Sequence, residues 1–221
     1  FGTVALGRLT TPQDSLLASI DPFGSSMIGG YGNTWTNGAS LVGADTTRLD
    51  NVFAYISPSF GGLTVTAAYT LNANGQESIG NESADGDARV WAISPVYKNG
   101  PLVVGLNYHN VKVKSTNAAI DGLTEKVWDL GASYDFGVVK LSAAYGQDKL
   151  ESTNKVKQWF VGATIPTGSA GKVQVVFGKQ KDKEVSDSDT KRWAVGYTHS
   201  LSKRTALYAQ YGDVSYDDNS F

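Results

Sequence analysis

The stretch Leu63-Thr64-Val65-Thr66-Ala67-Ala68-Tyr69-Thr70-Leu71 alternates with a period of two. Leu63, Val65, Ala67, Tyr69 and Leu71 fall on one face. Thr64, Thr66, Ala68 and Thr70 fall on the other. Successive side chains of a strand point to opposite sides, so this is a strand with one apolar face and one small, polar face.

The pattern returns along the chain. Leu102, Val104, Leu106 and Tyr108 oppose Val103, Gly105, Asn107 and His109. Trp128, Leu130, Ala132, Tyr134 and Phe136 oppose Val127, Asp129, Gly131, Ser133 and Asp135. Val139, Leu141, Ala143 and Tyr145 oppose Lys140, Ser142, Ala144 and Gly146, and Trp193, Val195 and Tyr197 oppose Arg192, Ala194, Gly196 and Thr198. Residues 1–9, 48–57, 89–97, 156–165, 172–180 and 205–214 read as further strands. The total is about eleven, each near the ~9–11 residues that a tilted strand needs to cross hydrocarbon.

A soluble sandwich also alternates. Two features favour lipid on the apolar face. That face repeatedly begins or ends in a ring with a polar tip, such as Tyr69, Trp91, Tyr108, Trp128, Tyr145, Trp159, Trp193 and Tyr211. Such rings suit the membrane interface, and barrels carry girdles of them. The connections also alternate in length. Residues 57–62, 98–101, 135–137, 166–171 and 200–204 are short; residues 72–88, 114–126, 148–155 and 181–191 are longer and polar. Outer-membrane barrels have short periplasmic turns and long extracellular loops. The fold class is therefore all-β, a transmembrane antiparallel barrel in one domain spanning 1–221.

Composition agrees. There are 221 residues, 25 Gly, 11 Tyr, no Cys and a net charge of -2. Without Cys there is no disulfide scaffold and no thiolate metal site. No block of like charge points to nucleic acid. No run approaches the ~18 apolar residues of a membrane helix, and Phe1 to Arg8 lack the basic start of a signal peptide.

One connection is out of scale. Residues 10–47 hold little strand pattern, and an insertion of about forty residues is usually functional. Thr11 to Ala18 is a helix candidate, with Thr11 as N-cap and Pro12 at the first helical position. Asp21-Pro22-Phe23-Gly24 and a Gly/Ser/Asn-rich stretch follow. In a barrel wide enough for water, such a loop can fold inward and narrow the lumen.

Four stretches together carry a family resemblance. They are Phe1 to Arg8, Asp21-Pro22-Phe23-Gly24, Arg48-Leu49-Asp50-Asn51 and Ser57-Pro58-Ser59-Phe60-Gly61-Gly62. The chain resembles the general porins of beta-proteobacteria and Neisseria along its whole length. The resemblance implies a barrel of roughly sixteen strands, of which the first strand here would be the fifth. The chain would then be a part of a longer protein. It implies a homotrimer of water-filled channels in the outer membrane of a Gram-negative bacterium, in contact with lipid and lipopolysaccharide. Ions and small hydrophilic solutes would pass passively, with no cofactor and no nucleic acid.

The resemblance also implies a constriction with basic residues on the wall and acidic ones on the loop. It assigns Arg8 and Arg48 to the wall and Asp21 to the loop, while Pro22 stands where the family often carries Glu. Alternation tests the wall. If Leu49, Phe53 and Tyr55 share the lipid face, Arg48 and Asp50 point inward. Arg8 has the parity of Val4 and Leu6, so either the strand bulges near Gly7 or Arg8 lies beyond its end. The other reading of each arginine is a rim residue that binds lipopolysaccharide or a loop carboxylate. Arg89, Lys140, Lys172 and Arg192 have lumen parity without a family match.

Enzyme readings find no support. His109 and His199 have no nucleophile motif or second histidine nearby, and no metalloprotease, hydrolase or phosphate-loop pattern occurs. Glu77, Glu82, Asp85 and Asp87 cluster in one loop, where a calcium site or a solvated loop are both open readings, without EF-hand spacing. Two further functional classes stay open. One is a substrate-selective channel, for which Phe160 and Tyr208 have lumen parity. The other is a closed barrel acting as adhesin or anchor.

Overall fold

The computed structural model describes residues 1–221 except 26, 36–46, 74, 76–86, 116–117, 119–120, 152–153 and 220–221. Eleven strands form one sheet in chain order, every neighbour antiparallel. They are β1 (Thr3–Thr10), β2 (Arg48–Ile56), β3 (Leu63–Thr70), β4 (Asp87–Asn99), β5 (Leu102–Lys114) and β6 (Thr124–Asp135). Then come β7 (Lys140–Leu150), β8 (Asn154–Thr167), β9 (Gly171–Asp182), β10 (Asp189–Ser202) and β11 (Thr205–Tyr216). Helix α1 (Pro12–Ile20) lies between β1 and β2, and a single 3-10 turn follows at Tyr31–Asn33. No described helix is long and apolar enough to cross a membrane, so crossing falls to the strands.

The two faces separate as period two demands. Leu106, Leu130, Leu141 and Val175 are exposed on the outward face, and Ser142 is buried on the inward one. The outward face carries a continuous aromatic belt towards the long-loop ends of the strands. Trp91, Tyr108, Trp128, Tyr145, Trp159, Phe177, Trp193 and Tyr211 supply one ring from each of β4 to β11. Neighbouring rings touch across strands: centroids lie 5.1 Å apart for Trp91–Tyr108, 5.5 Å for Trp128–Tyr145 and 5.6 Å for Trp159–Phe177. Registration puts them at one level, since Tyr108 faces Trp128, Tyr145 faces Trp159 and Phe177 faces Trp193. That is an interfacial girdle rather than a set of good strand formers placed at random.

Alternation fails between β1 and β2, and the failure moves a residue to the other face. β1 and β2 pair as Gly7 with Val52 and then as Leu9 with Leu49, so Arg8 alone faces Asp50 and Asn51. Asn51 takes a left-handed backbone, φ 53°. The extra residue is a bulge, and it reverses the parity of β2. Leu49 is therefore not on the lipid face with Phe53 and Tyr55. It is buried inside with Val52, Ala54 and Val90. The argument that turned Arg48 and Asp50 inward rested on Leu49 facing lipid, and it does not hold. β1 itself keeps its alternation: Arg8 lies within the strand with the parity of Val4 and Leu6, both exposed.

Candidate functional site: a loop seated against the inner wall

Thr11 caps α1, its side chain accepting from the Asp14 N–H at 3.1 Å, and Pro12 takes the first position, where a missing N–H costs nothing. One side of the helix, Gln13, Leu16, Leu17 and Ile20, is buried. The helix packs on β4, β5, β6 and β7. Residues 21–25 and 27–35 continue across the inner faces of β8 to β10, and Gln210 of β11 donates to Met27 Sδ. The segment therefore lies along one face of eight consecutive strands, β4 to β11.

The wall is carved to receive the segment. A side chain at Gly105 of β5 would stand 2.5 Å from Leu16, at Gly162 of β8 2.6 Å from Pro22, and at Gly196 of β10 2.7 Å from Phe23. Gly131 of β6 lies under Ile20, and Gly146 of β7 under Trp35. By parity these glycines belong to the small, polar face of their strands. They are seats for loop side chains, and Ile20, Phe23 and Trp35 cluster there with Leu17, Tyr31 and the wall residue Phe160.

Polar anchors fix the register of the segment. Asp129 on β6, fully buried, accepts from Gln13 Nε2 at 2.6 Å, Trp35 Nε1 at 3.1 Å and Asn107 Nδ2 at 3.1 Å. Gln174 of β9 donates to the Pro22 carbonyl, and Tyr31 donates to Asp14. Burial, and then the Asp14 carboxylate, push the Tyr31 phenol well above its usual range, so it remains a neutral donor.

The main electrostatic contact joins Asp21 to Arg192 of β10. Arg192 Nη2 donates to Asp21 Oδ2 at 2.6 Å, and neither side chain is exposed. Nη1 donates to the Gly29 carbonyl at 2.6 Å, and the guanidinium lies 5.4 Å over the Phe160 ring. Burial raises the Asp21 carboxyl above its usual range, and Arg192 pulls against that shift. One arginine thus holds both ends of the 21–29 turn.

The expected site residues are divided by this geometry. Asp21 lies on the inward segment, and its partner is Arg192. Arg8 and Asp50 come together, Arg8 Nη1 lying 3.6 Å from Asp50 Oδ1, at the long-loop rim beside Gly75. Arg48 is exposed at the start of β2, opposite Thr10. Lumen parity had marked Arg192, but nothing local in the sequence joins it to a residue 171 positions away. Among the other lumen-parity cations, Lys140 and Lys172 line a cavity of about 540 Å³ below the segment with Ser142, Gln174, Thr198 and Tyr208. Phe160 is buried under Arg192, and His109 is buried on β5. Glu77, Glu82 and Asp85, and the Asp87 side chain, lie outside the described residues.

A wrapped antiparallel sheet with an aromatic girdle outside and a seated loop inside defines a transmembrane β-barrel of the outer-membrane type. The sequence pattern of the Gram-negative porins matches residues 1–219, and the chain belongs to that family, an outer-membrane family. It is 34% identical over 226 residues to outer membrane porin protein 32 of Delftia acidovorans, covering 100% of this chain and 62% of that one. It is 31% identical over 254 residues to an outer membrane porin protein of Bordetella pertussis, covering 97% of this chain and 63% of that one. A solved anion-selective porin from Comamonas acidovorans superposes with a TM-score of 0.80 at 30% identity, covering 100% of this chain and 65% of that structure. The chain thus spans less than two thirds of the length of these relatives.

Proposed function

We propose that the full-length protein is a general diffusion porin. It forms a water-filled channel for ions and small hydrophilic solutes, assembles as a homotrimer, and presents its outward belt to outer-membrane lipid and lipopolysaccharide. Residues 10–47 form the constriction loop, with Asp21 as its anchor. The observation that carries this reading is the seating of α1, Asp21 to Phe23 and Trp35 on the inner wall through Arg192, Asp129 and the glycine positions. A loop directed outward would favour an adhesin or anchor, and the packing of α1 on β4 to β7 supports the channel reading instead. Within the constriction Asp21 is neutralised by Arg192. Lys140 and Lys172 below it then set a positive potential, and a charged, narrow passage selects without chemistry. We therefore propose a preference for anions, the property named for the Comamonas relative. Arg8, Asp50 and Arg48 act as rim charges in this scheme. The test is conductance and reversal potential of the full-length protein in a planar bilayer under a salt gradient. Stable open steps with anion-side reversal support the reading. Absence of any conductance from heat-modifiable, folded protein overturns it.

A further inference from the structure

We propose that the space between α1 and the inner wall of β1–β5 is a binding pocket for a small phenol-type solute, an apolar ring body bearing one hydroxyl. The proposal uses the channel reading only for how the solute arrives. The cavity has a volume of about 430 Å³, within the range of small-molecule sites. Its walls are chiefly apolar: Leu16 from the helix, with Val52, Ala54, Val90 and Ala92 from the strands. Among the described residues that line it there is no Asp, Glu, Lys or Arg. A carboxylate or ammonium solute would lose its hydration there without compensation.

Several hydroxyls also line the cavity, but those of Ser15, Ser19, Thr70 and Ser94 already donate to backbone carbonyls, and one unpaired polar group changes its chemistry. His109 lines it, is 1% exposed, and its Nε2 has no hydrogen-bond partner among the described residues. Buried polar atoms are almost always paired, so an orphan on the wall of a cavity calls for a partner within it. Water serves poorly, because an ordered water needs two to four polar neighbours and the lining is mostly carbon. A hydroxyl serves well. It both donates and accepts, so it suits either tautomer of the imidazole. The attached ring then fills the apolar remainder, which is what distinguishes a phenol from a sugar or a glycol.

The experiment uses refolded full-length protein in detergent and the fluorine NMR signal of 4-fluorophenol. Saturable line broadening is expected with the native sequence. Ala92→Phe and Ala68→Phe each fill the cavity and should abolish the saturable part; partition into detergent is the same in all samples and cancels. His109→Phe keeps the ring volume and should weaken binding about tenfold, the cost of one hydrogen bond. 4-Fluorotoluene, which lacks the hydroxyl, should lose a similar factor. Equal broadening with the native and both filled proteins, or none with any, overturns the proposal, including the case in which strands beyond this chain occupy the space. Broadening that His109→Phe leaves untouched removes the hydroxyl from it and overturns the assignment of phenols. A protein that binds the phenol but passes no current retains the pocket and loses the channel reading.

Discussion

Phe23 lies on Gly196, its ring 2.7 Å from where a side chain there would begin, and the Phe23 N–H donates to Asp21 Oδ1 at 2.7 Å. The seat of one ring on the wall thereby positions the carboxylate that meets Arg192, two inward-facing positions along the same strand. Apolar fit and ion pair are one device.

Gly196→Leu should expose that coupling. Overfilling a packed site costs about 1–3 kcal/mol, and the loop is the part free to yield. The barrel should still fold, shown by normal heat-modifiable gel mobility. The segment should lift from the wall towards the channel axis, lowering single-channel conductance. An unchanged conductance would mean that Phe23 moves without carrying residues 21–29 with it.

Removing the polar anchor at Asp129 should loosen the other end of the segment. Asp129→Leu strips three donors of their acceptor at once, Gln13, Trp35 and Asn107. A buried donor left unpaired costs about 1–3 kcal/mol. The Trp35 indole should become accessible to an aqueous quencher, measured by fluorescence against a reference in which the outward-facing tryptophans are replaced by Phe. Continued protection of Trp35 would show that Gly146 and Phe160 suffice to hold it.

The outward face obeys different energetics. Leu130 is 49% exposed in the middle of β6, on the outward face between Trp128 towards one end of the strand and Tyr134 towards the other. Leu130→Arg should cost about 2–4 kcal/mol, the penalty for arginine at the midplane of a barrel's lipid face. Ser142→Arg, lining the cavity beside Lys140, should fold nearly normally. Urea midpoints in lipid vesicles measure the difference, and equal midpoints would reverse the face assignment.

These contrasts show what could be read from residues alone. Period two places every strand, because burial on a sheet depends only on parity. All eleven segments form strands, and Thr11 and Pro12 start a helix as their chemistry requires. Parity misled at Leu49, because the bulge that reverses it turns on the left-handed backbone of Asn51. The glycines of β5 to β10 were visibly inward, but what fills the space above them depends on the path of a loop. Arg192 escaped selection for the same reason. A lone arginine on a face otherwise formed by Ala194 and Gly196 was the available signal, and its partner is fixed only by tertiary packing.

The last prediction concerns selectivity, where sign separates the roles of the charges. Lys140 and Lys172 face the cavity below the segment, so replacing both by Ser should shift reversal potential towards cations. Asp21→Asn leaves Arg192 without its counter-charge and should shift it towards anions. Arg192→Ser should do the opposite, and should also raise conductance, because the 21–29 turn loses both its ion pair and the bond to Gly29. Breaking a buried pair costs about 3–5 kcal/mol when the orphan stays buried. In the proposed water-filled channel the orphan is solvated by moving the loop. Arg8→Ser, at the rim beside Asp50, should change selectivity least. All shifts should shrink with salt, since the Debye length falls from ~10 Å at 0.1 M to ~3 Å at 1 M. The measurement is reversal potential at both ionic strengths for each full-length variant. Arg8→Ser with a larger effect than the double lysine change would move the selective section of the channel from the seated loop to its rim.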